Sequence, residues 1–178
     1  MGDKATGEER SLRERILDAA LEILQDSGIK KLTQPKVAAA AGIRQSHLTY
    51  YFPKKIDLVT ALLQGHLDHA GAHGPAHDIM PALRMIATDR RRIRFFLGLV
   101  IEAEQQPALR PLVYRHMEQF DALVAAHFGR PAGDPDVQAF LDALRGAGMK
   151  QLLRESPAAV DVEALAGRFG LRPAPPQG

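Results

Sequence analysis

The 178-residue chain predicts an all-α fold of about nine helices in two parts. Three observations carry that expectation. Apolar residues recur at helical spacing along most of the chain, as in 12–24 and 135–153. No stretch alternates apolar and polar residues for the length of a strand. Proline and glycine fall where helices would start and stop.

The first helix is predicted over 11–28. Ser11 and Glu14 make an S-x-x-E capping box, and Leu12, Ile16, Ala19 and Ile23, with Leu17, Ala20 and Leu24, form one apolar stripe. Gly28 supplies the stop. A short second helix is capped by Thr33, carries Pro35 in its first turn and ends at Gly42. A third covers 45–51 and closes at Pro53. A fourth starts at Lys54 or Lys55 and reaches about Ala70. Further helices are predicted near 78–87, 89–105, 109–128, 135–155 and 161–169, with Asp134-Pro135 as a cap followed by a first-turn proline. The Pro/Gly-rich end 170-GLRPAPPQG-178 reads as a disordered tail.

Composition is that of an ordinary globular protein, with 46% hydrophobic and 25% charged residues. There is no cysteine, so disulfides and thiolate chemistry are excluded. Residues 1–15 hold no apolar leader, and the run 95-FFLGLVI-101 is too short to span a bilayer. A cytoplasmic protein with no membrane partner is expected. Net charge is only +2, but its distribution is uneven. From Ile29 to Ile56 there are six cations, Lys30, Lys31, Lys36, Arg44, Lys54 and Lys55, and no carboxylate. Such a window suits a surface that meets phosphates.

The same window holds a pair of short helices joined at 41-AGI-43. Small residues before the turn allow close packing, glycine allows the turn, and Ile43 plugs the core. This is helix–turn–helix grammar, and it makes the helix after the turn the reading helix. Its first residues, Arg44, Gln45, Ser46 and His47, have the hydrogen-bonding chemistry that base edges require.

The strings 14-ERILDAALEIL-24, 32-LTQPKVAAAAGI-43 and 48-LTYYFPKKIDLVTALL-63 resemble the N-terminal domain of the TetR family of bacterial transcriptional regulators. The resemblance implies a helix–turn–helix DNA-binding domain over 1–53 and a ligand-binding and dimerisation domain over 54–170, ahead of the tail at 171–178. It also carries DNA contacts onto Thr33, Gln34, Lys36, Arg44, Gln45, Ser46, His47, Thr49, Tyr50, Tyr51 and Lys55. Thr49 stands where many members have tyrosine, Ser46 where glycine is common and His47 where threonine is common. Leu48 and Phe52 face the core by their spacing.

A pocket is expected between helices four and seven. Its candidate lining is Leu63, His66, Leu67, Leu83, Ile86, Phe95, Phe96, Leu99, Val113, Met117 and Phe120, with Glu102 and His116 as polar anchors. The same residues would serve a plain helical core. As a pocket, their Met and Phe content points to a small apolar or aromatic effector. Val137, Phe140, Leu141, Leu144, Gly148, Met149 and Leu152 form a stripe rich in small neighbours and are the expected homodimer interface. A dimer would present two reading helices to a palindromic operator, most often as a repressor.

Two other features compete for a role. His66, His69, His73 and His77 share helical spacing, which raises the alternative of a metal-dependent hydrolase. Gly71, Gly74 and Pro75 would interrupt that helix, and no G-x-S-x-G, H-E-x-x-H or phosphate loop is present. No enzyme activity, cofactor or metal is therefore expected. A non-specific architectural DNA binder is a further alternative. The run 89-DRRRIR-94 reads as a solvated or inter-domain face.

Overall fold

The computed structural model describes residues 3–71, 79–156 and 158–173, with side chains over 12–65, 79–156 and 158–173. Among the described residues there are nine α-helices and no strand. They are α1 (Asp3–Ser27), α2 (Gln34–Ala40), α3 (Gln45–Tyr51), α4 (Lys55–Gly71), α5 (Met80–Thr88), α6 (Arg90–Gln105), α7 (Arg110–His127), α8 (Pro135–Gln151) and α9 (Val162–Arg168). A single 3-10 turn, Ile29–Lys31, follows α1.

The expected all-α architecture is the observed one, and the departures lie at helix ends. Helix α1 begins at Asp3, so Ser11 lies inside it and not at its N-cap. Thr33 is the N-cap of α2, but its hydroxyl makes no capping bond. Helix α8 stops at Gln151. There the buried Gln151 side chain donates to the Ala158 carbonyl at 2.8 Å and accepts from its N–H at 2.9 Å, which fastens the segment leading to α9. The predicted disordered tail also starts too early. Leu171 is buried, with its N–H on the Ala166 carbonyl, and 174–178 lie outside the described residues.

The capping side chains are acidic and placed where helix N–H groups lack partners. Asp89 accepts from the backbone of Arg91 and Arg92, Asp134 from Asp136 and Val137, and Asp161 from Ala164. The arginine run joins elements together. Arg90 donates to the Leu152 carbonyl beyond α8, Arg91 approaches Asp26 of α1 at 3.9 Å, and Arg92 pairs with Asp89.

Two apolar cores result. The first combines Ile16, Ala20 and Leu24 of α1, Val37 of α2 and Leu48 of α3 with Leu58, Val59, Leu62 and Leu63 of α4. Phe95, Leu99 and Ala103 of α6 and Leu109 and Val113 at the start of α7 complete it. The second joins α5, the C-terminal half of α7, α8 and α9 around Leu83, Val124, Phe140, Leu141 and Leu144. Between α7 and α8, Arg145 pairs with Asp121, offsetting the burial that raises that carboxyl's pKa.

Gly148 marks the close approach of α5 to α8. A Cβ at Gly148 would lie 2.5 Å from the Ile86 carbonyl oxygen, a backbone atom that can retreat only with its helix. Gly98 of α6 has open space instead. Gly148→Ala is therefore expected to destabilise by about 1–3 kcal/mol despite alanine's better helix propensity. Gly98→Ala should stabilise by up to about 1 kcal/mol. Urea denaturation of the two variants checks this, and equal effects would contradict the packing.

Candidate functional site

The turn between α2 and α3 is built from backbone. Gly42 has φ 66°, the left-handed region in which side chains are strained. The Ile43 N–H then reaches the Ala38 carbonyl at 2.9 Å and the Gly42 N–H reaches Ala39 at 3.1 Å, closing a Schellman cap. Arg15 of α1 donates to the Ala41 carbonyl at 2.7 Å, so the first helix grips the turn. Leu48 and Phe52 are buried beneath α3, and the Arg13 guanidinium lies 5.7 Å from the Phe52 ring centroid.

This packing leaves the opposite face of α3 open. Arg44, Gln45, Ser46, His47, Thr49 and Tyr50 are exposed, as are Thr33 and Lys36 on α2. Tyr50 is 77% exposed, unusual for a tyrosine that also contacts a neighbouring aromatic ring. The Tyr51 ring meets it edge-on at 5.3 Å and packs against the first core. Thr49 donates its hydroxyl hydrogen to the Gln45 carbonyl at 2.9 Å. Among the described residues, Lys30, Lys31, Lys36, Arg44 and Lys54 form no ion pair. The acid-free window of the sequence is thus a surface of unneutralised cations.

Two of the expected DNA contacts sit differently. Gln34 turns its amide inward, onto the Phe52 and Pro53 carbonyls at 3.0 and 2.8 Å, and so braces the α3–α4 corner. Lys55 folds back to the Ile29 carbonyl at 2.6 Å. Its pKa is lowered by burial, against which the nearby Glu102 carboxyl acts. Sequence spacing could not reveal either role, because each partner lies 18–26 residues away.

The expected pocket lining divides between the two cores. Leu63, Phe95, Leu99, Val113 and Met117 belong to the first, and Leu83, Ile86 and Phe120 to the second. Glu102 is buried, with its carboxylate accepting from Gln106. Phe96 is half-buried, and the side chains of His66 and Leu67 lie outside those described, as do those of His69, His73 and His77. Among the described residues, a cleft of about 130 Å³ lies between α4 and α7, lined by Thr60, Leu63, Gln64, Leu112, Arg115, His116 and Gln119. Leu63 and His116 were expected there. Thr60, Gln64, Arg115 and Gln119 escaped sequence reading because polar positions carry no periodic signal, and Leu112 because it reads as one more core residue of α7.

These features can be set beside known proteins. Residues 16–62 match the family model of bacterial regulatory proteins of the tetR family. Residues 70–170 match that of the tetracyclin repressor-like C-terminal domain. The chain belongs to the TetR family. A TetR-family member from Streptomyces coelicolor A3 has a TM-score of 0.65 at 28% identity, covering 89% of this chain and 96% of that one. Multidrug binding protein EbrR complexed with ethidium has a TM-score of 0.59 at 29% identity, over 89% of this chain and 96% of its own. The nucleoid occlusion factor SlmA of Yersinia enterocolitica and of Yersinia pestis is 29% identical over 118 residues, 63% of this chain. The match spans 55% of SlmA, so the chain covers about half the length of these curated relatives.

In this TetR-family regulator most of the expected interface stripe is internal. Val137, Phe140, Leu141 and Leu144 are fully buried in the second core, and Gly148 lies under α5. They cannot meet a partner while α8 is packed, because α8 turns its most apolar side toward α5 and α7. Leu152 is half-buried, whereas Met149 is 50% and Leu153 90% exposed.

His116 offers a direct check on the cleft. Burial pushes its imidazole below the ordinary value of 6.5, so the neutral ring is the native form. The unfolded chain takes up this proton more readily than the folded one. The group's contribution to stability is therefore complete above 6.5 and falls as pH drops through it. Between about pH 7 and about pH 5, His116→Gln should lose less stability than the parent, read from urea midpoints. Parallel losses would remove the burial argument.

Proposed function

We propose that this chain is a homodimeric repressor that holds a palindromic operator and releases it when a small molecule enters the α4–α7 cleft. The observation that carries the reading is the open α3 face, set among unpaired cations on a module whose core is shared with α4, α6 and α7. Residues 1–53 act as the DNA-binding part and 54–170 as the effector and dimer part. Arg44, Gln45, Ser46, His47, Thr49 and Tyr50 read the groove. Thr33, Lys36 and the free lysines meet phosphates. Gln34, Tyr51 and Lys55 hold the module in place, with any phosphate contact secondary.

The cleft lies on the helix that follows the reading helix. Thr60, Leu63 and Gln64 lie about one and a half to two and a half turns along α4 from Lys55, at its start. An occupant that separates α4 from α7 would tilt the module, a rigid-body switch with a short lever. EbrR is complexed with ethidium, an organic cation. The described lining of the present cleft offers such a cation neither a carboxylate nor an aromatic wall beyond His116.

For the dimer, the outward face of α8 is the proposed contact. Ala139, Ala143 and Gly146 share it, with Met149 beside them and Leu153 just past its C-terminal end. Small residues there allow close helix approach, and two copies would set the reading helices about 34–36 Å apart. Leu153→Arg with Met149→Glu should shift the protein to a monomer in sedimentation analysis and weaken palindrome binding. A dimer unchanged by both would place the interface elsewhere.

The DNA reading is tested by anisotropy with an operator selected from random duplexes. Arg44→Ala and Tyr50→Ala are each expected to lower affinity by about 5- to 150-fold, the range of one base contact, with circular dichroism unchanged. Undiminished binding by both would defeat the assignment of α3 as the reading helix.

A further inference from the structure

The chemistry of the α4–α7 cleft narrows what can occupy it. Arg115 is its single charged lining residue, and it forms no ion pair among the described residues. His116 stays neutral because burial disfavours its protonated form. Gln64 and Gln119 bring amide groups to the same lining, while Leu63 and Leu112 supply its apolar part. No carboxylate lines it among the described residues. A guanidinium with amides around it, over an apolar floor, matches a planar anion attached to a small hydrophobic body. The volume of about 130 Å³ fits one ring, since a cavity of about 150 Å³ accommodates benzene.

From this arrangement we infer that the cleft is a binding site for a small organic anion, a carboxylate or phosphate ester carrying a single ring or its aliphatic equivalent. Arg115 takes the anionic group in a two-pronged hydrogen bond, and the ring lies against Leu63 and Leu112. The inference rests on the ligand-responsive reading for its consequence, release of DNA, but not for the binding itself. It adds an anionic group to the small apolar or aromatic effector that composition suggested.

Arg115 is exposed, so its replacement leaves the fold intact. Isothermal titration of the 178-residue chain with benzoate, phenyl phosphate, benzamide and benzamidinium separates the cases. Saturable binding of benzoate or phenyl phosphate is expected, at least about 10-fold tighter than benzamide, with benzamidinium weakest. Arg115→Gln should weaken the anions by about 10-fold or more and leave benzamide unchanged, and Arg115→Lys should recover part of the loss. Equal binding of benzoate and benzamide, anion binding indifferent to Arg115→Gln, or no saturation by either anion would each overturn the site. Operator anisotropy in the presence of the bound anion is read separately. Anion binding through Arg115 with no change in DNA affinity would uphold the site and reject the ligand-responsive reading.

Discussion

The rest of the molecule depends on one shared core. Phe95, Leu99 and Ala103 of α6 pack into the same apolar cluster as Ile16, Val37 and Leu48 of the helix–turn–helix. A lone three-helix module of this size buries little and is marginal. Here α4, α6 and the start of α7 close its open side. The helix–turn–helix therefore draws part of its stability from α4, α6 and α7, and a shift of α6 or α4 reaches the core beneath α3. Close packing makes such a shift a change between two arrangements, because a filled core does not deform gradually.

Most of the fold was legible because helices announce themselves locally. Apolar spacing, first-turn prolines and terminal glycines placed the helices close to where they lie, and α3 was read at its observed limits, Gln45–Tyr51. The errors share a cause. Ser11 looked like a cap because a capping box is a short string, yet α1 continues through it from Asp3. The α8 stripe of Val137, Phe140, Leu141 and Leu144 looked like an interface because sequence does not distinguish an apolar face buried at home from one buried against a partner. Only the position of α5 over Gly148 resolves that, and it is a long-range fact.

The candidate site divides along the same line. The exposed residues of α3 were found because the helix–turn–helix string and the missing acids coincide on them. The bracing roles of Gln34 and Arg15 were not, since a side chain that bonds a distant carbonyl leaves no pattern in the chain that carries it. The cleft residues Arg115 and Gln119 were missed for a different reason. They lie on the polar face of an amphipathic helix, where a solvated side chain and a ligand-binding one use the same residue types.

The junction at Lys55 shows how a polar contact fixes what an apolar one would leave loose. Its ammonium is partly desolvated, a cost that appears as its lowered pKa, and a leucine would avoid it. The cost is offset by the Ile29 carbonyl, which already accepts the Leu32 N–H, and by the charge of Glu102. These groups belong to three separate elements: the 3-10 turn after α1, the start of α4 and the last turn of α6. An aliphatic side chain in the same place could slide along its neighbours with little change in energy. A 2.6 Å hydrogen bond cannot, and it holds α4 at one position against the DNA-binding module. Movement of α4 then requires that this bond break or that the 3-10 turn travel with it. The second course carries the whole helix–turn–helix along, which is the motion that the proposed release of an operator would need.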